Sequence, residues 1–309
     1  MVKIKSKHRL VETTTLFNYI EQLVIRLQGH GQHRTAETYR STLNSLRRFR
    51  QDQDLSLNEV DAPFLMDYQY YLKNSGLLPN TVSFYLKRLR AIYNKAVEDK
   101  LTIDQHPFRK VSTASEKTAK RAIPLKYIKK LKELDLSDSP SKRYARDIFL
   151  FSFYTRGMPF VDMAHLKKAN LQNGMLTYRR KKTGQVLSLH WESCMKKIAK
   201  EYASPPSSPY LLSIIQDPEG DIRKQCHNAL TLIDRHLKEI GRSIGLSAPL
   251  TLYVSRHSWA SIARDEGVPV SVISEAMGHE SEKTTRIYLA SLKTEVVDEA
   301  NRMILRKLR

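Results

Sequence analysis

The chain has 309 residues, a length that suits two domains each able to bury its own core. Lys and Arg number 52 against 32 Asp and Glu, and the resulting formal charge of +20 points to a phosphate-bearing partner rather than a merely solvated surface. No apolar run approaches the roughly 20 residues that cross a bilayer. The basic start, Met1 to Arg9, is not followed by an apolar signal core, so a cytoplasmic protein without a membrane partner is expected. Cys194 and Cys226 show neither metal-ligand nor disulfide-framework spacing.

Residues 12–104 read as all-helical. Leu16, Tyr19, Ile20, Leu23 and Leu27 recur at helical spacing. Thr35 is positioned to cap a second helix bearing Tyr39, Leu43, Leu46 and Phe49. Phe64, Leu65, Tyr68 and Leu72 suggest a third, and a fourth follows Pro79-Asn80 with Val82, Tyr85, Leu86, Leu89, Ile92 and Tyr93. Four helices of this length make a small bundle. Its second and fourth helices carry cations away from the apolar stripe: Arg40, Arg47, Arg48 and Arg50 on one, Lys87, Arg88, Arg90 and Lys95 on the other. Two faces of one sign in a basic chain read as a DNA-facing surface.

The organisation expected is a helical DNA-binding domain over 1–105, a basic linker over 106–123 and a second domain over 124–309. The linker holds Arg109, Lys110, Lys117, Lys120 and Arg121 against Glu116, a composition suited to crossing a DNA backbone. Beyond Pro124, Leu125, Ile128, Leu131 and Leu134 suggest a helix, and 148–153 another. The period then changes: 175–189 holds two strand-like runs about Lys182-Thr-Gly, a β-hairpin pattern. After 190 the chain returns to helix, broken by Ser204-Pro-Pro-Ser-Ser-Pro209. The fold class expected is mainly α with a small β-hairpin or sheet in the second domain.

Near the C-terminus stand Tyr253-Val-Ser-Arg256-His257-Ser-Trp-Ala and Met277-Gly-His279-Glu-Ser-Glu-Lys-Thr-Thr-Arg-Ile-Tyr288. Arg, His and Tyr in this order can hold, neutralise and attack a phosphodiester. Such a reaction needs an in-line nucleophile, cations on the non-bridging oxygens, an acid for the leaving 5′ oxygen and an acceptor for the nucleophile's proton. Arg suits the oxygens through its planar fork. Lys suits the leaving group because its pKa falls in a cationic site. Positioned side-chain charge can do this work without a metal.

These residues resemble the tyrosine recombinases of the phage-integrase family, over nearly the whole chain. Arg256-His257-Ser258, Met277-Gly278-His279 and Tyr288 match the order and spacing of that family's C-terminal motif. Arg156-Gly-Met-Pro-Phe-Val-Asp-Met, with the Tyr253 segment, resembles integrases and invertases of the Bacteroidetes type. The resemblance implies a core-binding and a catalytic domain forming a C-shaped clamp on duplex DNA. It makes Tyr288 the nucleophile of a 3′-phosphotyrosyl link and Arg256 the phosphate clamp. His279 hydrogen-bonds a phosphate oxygen or assists the tyrosine proton. Lys182 is the general acid, with Lys181 and Arg180 beside it as competitors.

Two positions depart from the family pattern. If Asp162 takes the place of the family's Glu, Pro159 falls where an Arg is expected. Arg156, three residues earlier and about a turn away on a helix, is the substitute, unless the site works with one cation fewer. Tyr253 stands where His or Lys is usual, and can donate a hydrogen bond but no charge.

The resemblance implies a site-specific DNA recombinase acting in inversion, integration or excision through a Holliday junction. Its expected partners are double-stranded DNA with paired sites, three further copies in a tetramer, and a DNA-bending accessory protein. No cofactor and no metal are expected, and the location is the bacterial nucleoid. Val296, Val297, Ala300, Met303, Ile304 and Leu308 form a terminal apolar stripe, suited to its own domain or to a neighbouring subunit. The chain also reads as lacking an extra N-terminal arm-binding domain, which favours a simpler recombinase. A DNA-binding protein with a decayed site, a type IB topoisomerase and a basic RNA- or membrane-binding protein are the alternatives.

Overall fold

The computed structural model describes residues 14–114, 116 and 121–289, except the side chains of Ile287 and Tyr288. Lys117, Lys120 and the stripe from Val296 to Leu308 lie outside the described residues. The chain divides into two compact units, 1–118 and 119–309.

Four helices build the first unit: α1 (Leu16–Gly29), α2 (His33–Arg50), α3 (Ala62–Asn74) and α4 (Pro79–Glu98). Their apolar positions fall three and four residues apart, so each buries one stripe. Leu16, Ile20, Leu46, Leu65, Leu86, Leu89 and Ile92 are fully buried. Tyr68 is equally buried and donates its hydroxyl to Ser45 Oγ at 2.8 Å, which satisfies the polar end of an otherwise apolar anchor. Asp61 caps α3 by accepting the Phe64 N–H at 2.8 Å. The second helix differs from expectation: it begins at His33, with Gln32 at the cap position, so Thr35 lies inside its first turn. Phe108 and Val111, in the stretch expected as a linker, are buried in this unit's core beside a short 3-10 turn at Pro107–Lys110.

The second unit contains α5 (Leu125–Glu133), α6 (Pro140–Tyr154), α7 (Phe160–Ala164), α8 (Ser193–Glu201), α9 (Ile222–Ser243), α10 (Leu252–Asp265), α11 (Val270–Ala276) and α12 (Glu282–Tyr288). Helix α6 is its spine: Ile148, Phe149 and Phe151 are fully buried, and α5, α8, α9 and α10 pack around it. An antiparallel sheet runs β1 (Leu171–Gln172), β2 (Met175–Arg179), β3 (Val186–His190), in that order. Tyr178 pairs with Leu187 and Arg179 with Val186, which sets the hairpin around Lys182. Leu176 and Tyr178 face inward while Thr177 and Arg179 face out, the alternation of a half-buried strand.

Buried hydroxyls lock α10 against α6. Ser152 Oγ lies 2.6 Å from Ser255 Oγ and donates to the Met158 carbonyl at 2.8 Å. Ser258, the residue after His257, is also buried and accepts the Ile123 N–H at 2.9 Å. Each such bond contributes about 1 kcal/mol and leaves little slack in how the helices sit.

Candidate active site

Arg256, one residue after the locked Ser255, is only 3% exposed. Its Nη1 donates to the Gly157 carbonyl at 2.7 Å. Its Nη2 donates to the Met277 carbonyl at 2.7 Å and meets His279 Nε2 at 2.9 Å. The guanidinium therefore spans three chain segments. The approach at Gly157 requires glycine: φ is +72°, and a Cβ there would stand 2.7 Å from Arg256 Cα.

A second arginine shares this turn. Arg180, just past β2, is 6% exposed. Its Nη1 donates to the Met277 carbonyl at 3.1 Å and to the Gly278 carbonyl. Its Nε sits 3.6 Å from Asp162 Oδ2 on α7. Asp162, 3% exposed, also accepts the Lys181 N–H through Oδ1 at 2.8 Å. Asp162 thus braces the hairpin and neutralises part of the buried charge, which would otherwise be costly. Gly278 has φ +63°, and a Cβ there would meet Arg180 Cδ at 2.7 Å.

His279 completes the cluster. Its Nδ1 lies 2.8 Å from Thr285 Oγ1 on α12. Its pKa is pushed down to about 4, first by burial and then by the charges of Arg256, Arg180 and Lys182. The ring is neutral near pH 7.

The remaining sequence candidates fall into place unevenly. Lys182 is exposed in the hairpin turn, and its charge bears on His279. Lys181 bears instead on His165 and Cys226, and lines a pocket with Asp162, His165, Tyr210 and Ile222. The two lysines thus face different surroundings. Arg156 is not on a helix: it sits in the turn between α6 and α7 with φ +61°. Its Nη1 donates to the Ser188 carbonyl at 3.4 Å, and its charge acts on Tyr178 along with those of Arg256 and Arg180. Tyr253 is 51% exposed on α10, with its ring edge-on to His257 at 4.9 Å. Tyr288 is the last residue of α12, and its side chain lies outside the described residues.

Arg180 entered the sequence reading only as a competitor to Lys182. A signal for it was present: Leu176, Tyr178 and Arg180 continue one period-two face, so the arginine follows two inward residues.

In the first unit Arg40, Arg48, Lys87, Arg90 and Lys95 are exposed, as is Arg121 in the second. Arg47 is half-buried and ion-paired with Glu21 at 2.6 Å and Asp52 at 3.7 Å. Arg88, also half-buried, lies 5.5 Å over the Phe84 ring. Among the described residues no three His, Cys, Asp or Glu gather as metal ligands would, and no helix is long and apolar enough to cross a membrane.

A cluster of buried arginines, a neutral histidine and a hairpin lysine can neutralise and hold an anionic phosphate. Comparison with known proteins gives the family. Residues 135–295 match the model of the phage integrase family, and residues 15–114 that of the phage integrase SAM-like domain. The chain belongs to the phage integrase family and is a tyrosine site-specific recombinase. It is 19% identical to tyrosine recombinase XerD of Halalkalibacterium halodurans, over 79% of this chain and 81% of that one. It is 28% identical to tyrosine recombinase XerA of Pyrococcus furiosus, over 60% of this chain and 63% of that one. Its fold is similar to a lambda integrase tetramer bound to a Holliday junction, with a TM-score of 0.68, 15% identity and coverage of 91% and 78%. It is also similar to the Tn1549 transposon integrase in complex with transposon right end DNA, with a TM-score of 0.68, 15% identity and coverage of 96% and 100%.

Proposed function

We propose that this recombinase cuts and rejoins duplex DNA through a 3′-phosphotyrosyl intermediate formed by Tyr288. The observation that carries the reading is the cation cluster about the Met277–Gly278 turn: Arg256 and Arg180 end there, and Lys182 bears on the adjoining His279. In this reading the Tyr288 oxygen gives up its proton to solvent and attacks phosphorus as the P–O5′ bond breaks, and the 5′ oxygen leaves with a proton from Lys182. Arg256 and Arg180 neutralise the non-bridging oxygens, and Arg156 adds charge from the α6–α7 turn. The different surroundings of the two lysines favour Lys182 over Lys181 as the acid. Tyr253, exposed one turn before His257, donates a hydrogen bond to the DNA backbone.

The assignment of the chain to 1–105 for DNA binding, 106–123 for a connecting stretch and 124–309 for catalysis belongs to the same proposal. Arg40, Arg47, Arg48, Lys87, Arg88, Arg90, Lys95 and Arg121 supply phosphate contacts. Solved structures of similar fold on DNA, including a lambda integrase tetramer on a Holliday junction, support four copies acting on two paired sites. A DNA-bending accessory protein would help bring those sites together. The products are inversion, integration or excision according to where the sites lie.

The test is incubation with labelled DNA from the inverted repeats flanking its own gene, without added metal, followed by denaturing electrophoresis. Wild type is expected to give a covalent protein–DNA adduct, and Tyr288→Phe to retard DNA without one. An adduct from the Phe variant would refute the nucleophile.

A further inference from the structure

We infer that Thr285 is a positioning residue: it fixes the tautomer of His279, and through it the helix ending in Tyr288 braces the Arg256 clamp. The inference rests on the reading of Arg256 and Tyr288 given above.

The hydrogen-bond roles carry the argument. A guanidinium only donates, so at 2.9 Å from Arg256 Nη2 the Nε2 of His279 must be the acceptor. In a neutral imidazole the proton then sits on Nδ1, which donates to Thr285 Oγ1 at 2.8 Å. The other tautomer would face an N–H of the ring with an N–H of the arginine. Burial, and then the charges of Arg256, Arg180 and Lys182, oppose a second proton, so the ring holds one proton and one defined direction.

Thr285 is itself held. It is fully buried in α12, three residues before Tyr288, and its carbonyl accepts the Leu289 N–H at 3.3 Å. The His279 backbone is anchored from the other side, its N–H donating to the Ser274 carbonyl at 3.0 Å. A line of bonds therefore runs from α12 through Thr285 and His279 to Arg256. With α12 in place, the ring holds Nη2 beside its other partner, the Met277 carbonyl. The adjacent Thr284 is a built-in control, since its hydroxyl only meets Ser281 Oγ at 3.4 Å on the exposed side of the turn.

The first measurement is the nitrogen NMR signature of His279 in the intact wild-type chain. A protonated Nδ1 and bare Nε2 are expected, and a protonated Nε2 would overturn the inference whatever the activity. The second is adduct formation on flanking-repeat DNA. Thr285→Val keeps the shape and removes the hydroxyl. DNA affinity is expected to stay within about two-fold and the rate at saturating DNA to fall about ten-fold, the effect of one buried hydrogen bond. Thr285→Ser should restore the rate, and Thr284→Val should leave it unchanged. Wild-type rates in Thr285→Val would overturn the inference. Should the valine variant fail to fold, the histidine signature and the serine variant still decide it. A wild type that forms no adduct would refute the Tyr288 reading, while the tautomer measurement stands apart.

Discussion

On α2 and α4 of the first unit, Arg40, Arg48, Lys87 and Arg90 stand exposed, whereas Arg180 and Arg256 of the second unit are 6% and 3% exposed and end on backbone carbonyls. The exposed set keeps much of its hydration. Such cations act through the summed field and through counterion release, so each is replaceable and all are weakened by salt. The buried pair has been desolvated and fixed in one geometry. Its members act through position, and loss of one disturbs the other through the shared Met277 carbonyl. One chain thus uses the same residue type as a diffuse charge in one unit and as a rigid part in the other.

The sharpest way to break this contrast is at the buried end. Arg180→Ala removes a cation from the site and leaves Asp162 buried without it. The unfolding free energy is expected to fall by about 3–5 kcal/mol, as for other broken buried pairs. The adduct rate at saturating DNA should fall roughly 10²- to 10³-fold. Thermal melts and single-turnover assays read the two effects, and a stable, fully active variant would remove Arg180 from the machinery.

At an intermediate level stand the two lysines of the hairpin. Lys182→Ala should slow cleavage about 10²- to 10⁴-fold, the range for loss of a positioned proton donor, and Lys181→Ala only a few-fold. DNA bearing sulfur at the 5′ bridging position, a leaving group that needs no proton, should rescue Lys182→Ala selectively. Rescue of Lys181→Ala instead would exchange their roles.

The smallest effects belong to the surface. Arg48→Ala and Arg90→Ala should each lower the slope of log affinity against log salt by about 1 and leave the saturating adduct rate unchanged. Arg47→Ala should do less, because Glu21 and Asp52 already hold its charge. Titration at several salt concentrations tests this, and a variant that altered the rate rather than the slope would erase the distinction.

Much of this division was legible in the residues. Apolar spacing placed α1, α3 and α4, and the strand alternation with Lys182-Thr-Gly placed the hairpin. The C-terminal motif singled out Arg256, His279 and Tyr288, because few chemistries need that set in that order. What local pattern could not express was the turn at 155–159. Pro159 and Gly157 mark a break, but a positive φ at Arg156 is no preference of arginine and leaves no local signal. The role of Arg180 was hidden for a related reason: whether a hairpin arginine points to water or inward depends on Asp162 and on the Met277–Gly278 carbonyls, which arrive from distant parts of the chain. Phe108 and Val111 looked like tether residues because two apolar positions in a basic stretch carry no period.

The hydrogen bonds from Arg256 to Gly157 and Met277 end on main-chain oxygens, and every amino acid offers a carbonyl. The seat of the clamp is therefore specified by the path of the backbone and not by the chemistry of the side chains along it. Mutation can rewrite neighbours of that seat, as long as the glycine at 157 preserves the close approach, without altering the oxygens that receive the arginine. A site framed in this way can gather its cations from separate elements, as it does with Arg256 from α10 and Arg180 from the end of β2. Its architecture leaves the side chains along that backbone free to change while the oxygens stay where the arginine needs them.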